Sequence, residues 1–174
     1  MNLKIFVMNG QGGAGKTTFE KFVCQYGRSN SLYSNNWIVS IIDPIKKLAK
    51  EVGWEGGKTD KDRKFLHELK VLIHNYNEFD RHYIIKEIER AERIHQDFIF
   101  IDMREIEDIE WLKSIYPQTK SVLIMRGEFR EYGNAADDDL VNTIDRYDIT
   151  IRNNGSLTDF ESKALDFYHR EIEV

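Results

Sequence analysis

Residues 10–17 read Gly10-Gln11-Gly12-Gly13-Ala14-Gly15-Lys16-Thr17, which matches G-x-x-x-x-G-K-[ST] without a gap. Four glycines let the backbone curl, so successive N–H groups point inward at phosphate oxygens. A helix starting near Lys16 adds its positive dipole end to the same spot. Lys16 is placed to reach the β- and γ-phosphates of a nucleoside triphosphate, Thr17 to ligate Mg²⁺, and Thr18 to line the same cradle. Chance would produce this pattern in roughly one chain of this length in a hundred. Here an apolar run precedes it and a helical pattern follows it, the context that phosphate binding requires.

Other chemistry-bearing residues fall at the ends of apolar runs. Asp43 follows Trp37–Ile42 and Asp102 closes Phe98–Ile101. In a sheet of parallel strands both lie at the carboxyl edge, where phosphate sites form. ATPases that hydrolyse their nucleotide usually place a glutamate after such an aspartate, but here Met103 follows Asp102. The D-x-x-G and N-K-x-D motifs of GTPases are absent. A phosphate loop lacking a water-activating group suits transfer to a bound acceptor. An anionic acceptor needs local cations, preferably arginine, whose fork fits phosphate oxygens. Lys46, Lys47, Arg63, Arg81, Arg104, Arg126 and Arg130 are the candidates, and Arg104 stands out because it lies two residues past Asp102.

The elements that must position these groups alternate. Strands are expected at Leu3–Met8, Trp37–Ile42, Phe98–Ile101, Ser121–Met125 and Asp148–Ile151, with helices between them. Such alternation implies parallel pairing with right-handed crossovers. The predicted fold is therefore α/β, a three-layer P-loop NTPase fold with a mostly parallel sheet of about five strands flanked by helices. Gly27 is expected to end the first helix, Asp43 to cap the second ahead of Pro44, and Ser156 with Asp159 to form a capping box on the last. The acidic run Glu105–Glu110 reads as the wet face of a helix, and Gly127–Asp139 as a polar loop of the kind that closes over a site.

At 174 residues with 41% apolar and 32% charged side chains, the chain reads as one globular domain spanning 1–174. Its net charge of −5 argues against duplex nucleic acid as a partner. No run approaches the roughly 18 apolar residues of a membrane helix, and Met1–Met8 reads as a strand rather than a targeting segment. The single cysteine, Cys24, reads as a buried inert thiol, and a reducing cytoplasm is the natural compartment. The five histidines show no metal-ligand grouping. Small-molecule nucleotides are the expected partners, and a homodimer is compatible with the sequence.

In ordered pieces over most of its length, the chain resembles the phage-type deoxynucleoside monophosphate kinases among the adenylate-kinase-like P-loop proteins. The phosphate loop comes first. Asp43-Pro44-Ile45-Lys46 resembles the start of their substrate-side helix. Arg63 with Leu66 and Leu69, then Asn77-Glu78-Phe79-Asp80-Arg81-His82-Tyr83, resembles their acceptor-binding helices. Asp102-Met103-Arg104 resembles their D-x-R, and Asn153-Asn154-Gly155-Ser156-Leu157 the N-D-G-S-L turn against the donor adenine. The resemblance implies ATP and Mg²⁺ as cofactors, with Asn153 and Gly155 beside the adenine. It implies that Arg63, Arg81 and Arg104 hold the acceptor, and that Asp102 acts on Mg²⁺ through water. The acceptor-binding segment would span about 43–95, and the lid about 126–139, bringing Arg126 or Arg130 to the transferring group. The chain is short for that family, so the acceptor insert is reduced, and Asp137-Asp138-Asp139 makes the lid less basic.

Overall fold

The computed structural model describes residues 3–30, 38–127 and 144–173. Its element order is β1 (Lys4–Asn9), α1 (Lys16–Asn30), β2 (Ile38–Ser40), α2 (Asp43–Glu51), α3 (Asp60–Asn77), α4 (Phe79–Arg93), β3 (Phe98–Asp102), α5 (Ile106–Ile115), β4 (Lys120–Met125), a 3₁₀ turn (Ile144–Arg146), β5 (Ile149–Arg152) and α6 (Leu157–Phe167). A π-helical turn, Tyr168–Ile172, follows α6. The described strands form one sheet in the order β2-β3-β1-β4-β5, and every pairing is parallel.

Alternation along the central strands builds two separate cores. In β1, Ile5 and Val7 face one side while Phe6 and Met8 face the other. In β3 the split is Ile99 and Ile101 against Phe98 and Phe100. The aliphatic face is covered by Ile84, Ile88 and Ala91 of α4 and by Ile106, Ile109 and Leu112 of α5. The aromatic face is covered by Phe19 and Val23 of α1 and by Phe160, Ala164 and Phe167 of α6. Helices on both faces of a parallel sheet make three layers.

Several boundaries differ from expectation for physical reasons. The helix α1 runs on to Asn30, because Gly27 lies buried inside it and close packing outweighs glycine's poor helix propensity. Asp43 does not cap α2. Ile42 holds the cap position without a side-chain bond, while Asp43 Oδ2 accepts from the Ser40 N–H at 2.8 Å, satisfying the end of β2 instead. Ser156 and Asp159 do form the expected capping box. Thr59 and Asp62 form a second, which opens α3. The break between α3 and α4 falls at Glu78, whose φ of 50° is left-handed. Cys24 is buried. The acidic run is not simply a wet face: Asp108 is 4% exposed and bonded within the protein. No helix of the described residues is long and apolar enough to cross a membrane.

Candidate active site

The loop between β1 and α1 is anchored at its entry by Asn9. This residue is buried, and its Oδ1 accepts from the Gly10 N–H at 2.7 Å. Its Nδ2 donates to the Arg104 carbonyl at 2.8 Å and to the Tyr147 hydroxyl at 2.7 Å. One side chain thus ties the loop to the segment after Asp102 and to the approach to β5. At the exit, Gly15 adopts φ +101°, and a Cβ there would meet Asn153 Nδ2 at 2.5 Å and Phe160 Cε1 at 3.1 Å. Glycine is required at that position on both counts. Asn153 itself donates from Nδ2 to the Ala14 carbonyl at 2.9 Å and from its N–H to Met125 O at 2.6 Å. The turn carrying Asn153 and Gly155 therefore packs directly on the phosphate loop.

The register β1 to β3 sets Met8 opposite Asp102. This brings Asp102 Oδ1 to 2.6 Å from Lys16 Nζ. The two form an ion pair at the strand edge, both side chains about one-fifth exposed. Thr17 is exposed at the first turn of α1. Beneath them lies Glu20, which the sequence analysis did not single out. It is fully buried, with the Asp102 carboxylate as its polar neighbour. Burial pushes its pKa up to about 8, the Asp102 charge adds to the rise, and Lys16 opposes it. The spacing signal was available: Glu20 follows Lys16 by four residues, so both lie on one helix face.

Mg²⁺ takes hard oxygen ligands and keeps several waters. The Thr17 hydroxyl, exposed at the start of α1, and the Asp102 carboxylate beside the phosphate loop fit that preference. Among the described residues no three His, Cys, Asp or Glu gather into a metal cage. An ion here would complete its shell with phosphate oxygens and water.

The expected acceptor residues are more scattered. The edge pairing sets Ser40 opposite Asp102, so Asp43, three residues on, stands near the same edge, with Lys46 Nζ 3.6 Å from its Oδ1. Arg104 is exposed just past β3. Arg63 is exposed on the first turn of α3. Arg81 is held inside: its Nε and Nη2 both reach Asp108 Oδ1 at 3.1 Å, its Nη1 reaches Glu78 at 3.0 Å, and its guanidinium lies 4.9 Å over the Trp111 ring. Lys70, unsuspected from sequence, donates to Glu105 at 2.9 Å and Asp108 at 2.8 Å. Burial alone would lower its pKa, but Glu105 and Asp108 outweigh that and hold it above the ordinary value. Arg126 is exposed beyond β4, and the Gly127 N–H donates to Asn154 Oδ1 at 2.8 Å. Arg130 and the rest of the expected lid, 128–139, lie outside the described residues.

No protein-family model matches the chain, and no curated protein matches it in sequence. Solved structures do. Dephospho-CoA kinase from Campylobacter jejuni superposes with a TM-score of 0.57 at 14% identity, covering 98% of each chain. A protein of Chloroflexus aurantiacus assigned as a kinase gives 0.51 at 10% identity, covering 97% of each chain. The fold is a three-layer α/β P-loop fold. APS kinase of Mycobacterium tuberculosis gives 0.45 at 10% identity over 96% of this chain, too distant to carry an argument.

Proposed function

We propose that the protein transfers the γ-phosphoryl group of ATP to a small anionic acceptor, most favourably a nucleoside or deoxynucleoside monophosphate. The observation that carries this reading is the Lys16–Asp102 pair, 2.6 Å apart at the strand edge with the complete phosphate loop curled beside it. Two features favour transfer over hydrolysis. Met103 is buried where a hydrolase would place its water-activating glutamate. Glu20, the carboxylate beneath Asp102, has no solvent exposure from which to activate a water.

In this reading the loop N–H groups and the start of α1 cradle the phosphates, and Lys16 follows the γ-phosphoryl charge. Thr17 and Asp102 would hold Mg²⁺, which would supply positive charge to neutralise the phosphates. Asn153 and Gly155 border the donor base. Arg104, exposed beside Asp102, takes the acceptor phosphate, with Asp43 and Lys46 on the neighbouring edge. Arg63 and Arg81 join them only if α3 and α4 shift, because Arg81 must first leave Asp108. Closure of the lid brings Arg126, at the exit from β4, or Arg130 to the transferring group. Catalysis is then positioning plus electrostatic stabilisation.

The test is a coupled assay of ADP release with ATP, Mg²⁺ and a panel of acceptors. The panel holds nucleoside and deoxynucleoside monophosphates, together with dephospho-CoA because of the 0.57 structural likeness. Acceptor-dependent release is expected, and Lys16→Ala should lower it by about 10²–10³-fold with the fold intact, as for loss of one preorganised donor. Acceptor-independent release would point to a hydrolase, and tight ATP binding without release to a non-catalytic nucleotide-binding module. Release with dephospho-CoA alone would replace the nucleoside monophosphate.

A further inference from the structure

Asn9 stands where strand alternation calls for an aliphatic side chain. It follows Ile5 and Val7 on one face of β1, and Tyr147, whose hydroxyl it meets, belongs to the same aliphatic core. A buried amide must be bonded on every side, and this one is. Two of its partners are of fixed kind: the Gly10 N–H can only donate and the Arg104 carbonyl can only accept. An amide in a single orientation satisfies both, at 2.7 Å and 2.8 Å. The Tyr147 hydroxyl takes the other Nδ2 hydrogen at 2.7 Å and stops the amide from turning. The amide also continues the sheet where the backbone cannot. Met103 N–H donates to Met8 O at 3.3 Å, one step past the pairing of Met8 with Asp102. There β1 ends at Asn9 and the chain enters the phosphate loop. The next link between the two strand ends comes from the Asn9 side chain. The first N–H of the phosphate loop and the main chain of Arg104 are thus joined through one planar group.

We propose that Asn9 is a positioning residue for phosphoryl transfer, setting the distance between the donor loop and the Arg104 side chain. The inference rests on the function proposed above, in which Arg104 takes the acceptor phosphate. Arg104 is exposed on a short connection past β3, so its aim depends on where its main chain is fixed. Asn9 fixes it to the same atom group that starts the donor cradle. Acceptor and donor phosphates are therefore registered to each other and not merely each to the sheet. That registration matters because a misplacement of about 1 Å can cost on the order of a hundredfold in rate. Asn9 touches neither substrate in this arrangement and acts through Arg104.

The experiment measures kcat/KM for whichever acceptor of the panel gives the fastest ADP release with wild type, and Kd for a non-hydrolysable ATP analogue by calorimetry. Thermal melting establishes that each variant is folded. Asn9→Asp keeps an oxygen for the Gly10 N–H but sets its other oxygen against the Arg104 carbonyl, so it breaks one link and spares the other. It should lower acceptor kcat/KM about tenfold and leave the analogue Kd within about threefold of wild type. In an Arg104→Ala background the same change should cost less than about twofold, because the side chain it aims is gone. An equal loss in both backgrounds would overturn the inference and make Asn9 a structural residue of the loop. So would a weakening of the analogue as large as the loss in kcat/KM. Tyr147→Phe fills the same space and removes only the bond to the hydroxyl. It should lower kcat/KM about threefold, again only while Arg104 is present, and it decides the matter if Asn9→Asp does not fold. If no acceptor speeds ADP release by wild type, the transfer reading itself fails, and the inference falls with it.

Discussion

Beneath the phosphate loop, Phe6, Phe19, Phe160 and Phe167 pack edge-on and tilted, with ring centroids 5.0 Å apart for Phe6–Phe167, 5.4 Å for Phe19–Phe167 and 5.6 Å for Phe19–Phe160. Across the sheet, α3 is held in another way. Of its 18 residues only one is buried, and that one is Lys70. Leu72 and Tyr76 on the same helix are 67% and 85% exposed. The donor side is thus fixed by apolar packing, which is dense and has few alternative arrangements. On the acceptor side α4 is anchored by Ile84, Ile88 and Ala91 in the aliphatic core, while α3 depends on directed charge pairs, Lys70 and Arg81 converging on Asp108. Such pairs can be exchanged for others, including pairs with a phosphate. A rigid donor cradle beside a helix held by charges is what a two-substrate reaction needs. One substrate meets a preformed site, and the other is brought to it by an element that can shift.

The strongest attack on this contrast is Lys70→Ala. Removing one partner from a buried ion cluster leaves Asp108 with less than its share of positive charge. The expected cost is about 3–5 kcal/mol of stability, read from urea unfolding. ATP affinity should stay within about threefold of wild type, since the donor core is untouched. A comparable loss of ATP affinity would mean that the two sides form one cooperative unit, and the contrast would be wrong.

A smaller effect is expected from Arg104→Ala, which acts where the two regions meet. Its side chain is exposed, so stability should hardly change. Loss of a charge-assisted contact to the acceptor phosphate is worth roughly 1.5–3 kcal/mol. Acceptor kcat/KM should then fall on the order of ten- to a hundredfold, with ATP binding preserved. Equal weakening of ATP would move Arg104 to the donor side.

The donor region was far more legible in the sequence than the acceptor region, and the reason is locality. The phosphate loop is eight consecutive residues, and its strand and helix adjoin it. The Ser156–Asp159 box spans four. Alternation along β1 and β3 is read residue by residue. The acceptor side instead depends on pairs such as Lys70 with Asp108 and Arg81 with Asp108, 38 and 27 residues apart. No local pattern reports such a pair, so Asp108 passed for one more solvated acid in an acidic run. Glu20 was missed for a related reason. Its spacing from Lys16 is local, but its polar neighbour Asp102 is contributed by a strand 82 positions later in the chain. Asp43 was misplaced by one step because a capping motif and a strand-end bond use the same side chain, and only the fold decides between them.

The finest test uses a coincidence of the fold. Thr59 and Ser156 open α3 and α6 with the same capping box, each hydroxyl accepting from the N–H of the residue three positions on, at 3.2 Å and 3.1 Å. Each partner aspartate returns a bond to the cap N–H at 2.9 Å. The two caps are alike in chemistry and exposure, and differ in the region they serve. Thr59→Ala and Ser156→Ala should each remove about 1 kcal/mol from the helix concerned. On α6 that loss should appear in full in the global unfolding free energy, because Phe160 and Phe167 tie the helix to the aromatic core. On α3 it should appear mainly as faster amide exchange across Asp60–Asn77, with a smaller shift in the global midpoint, because that helix can open while the sheet stays folded. Equal global losses, with no selective exchange in α3, would show that charge pairs hold that helix as firmly as the aromatic packing holds the cradle. The shift required of Arg81 in the proposed reaction would then have no structural basis.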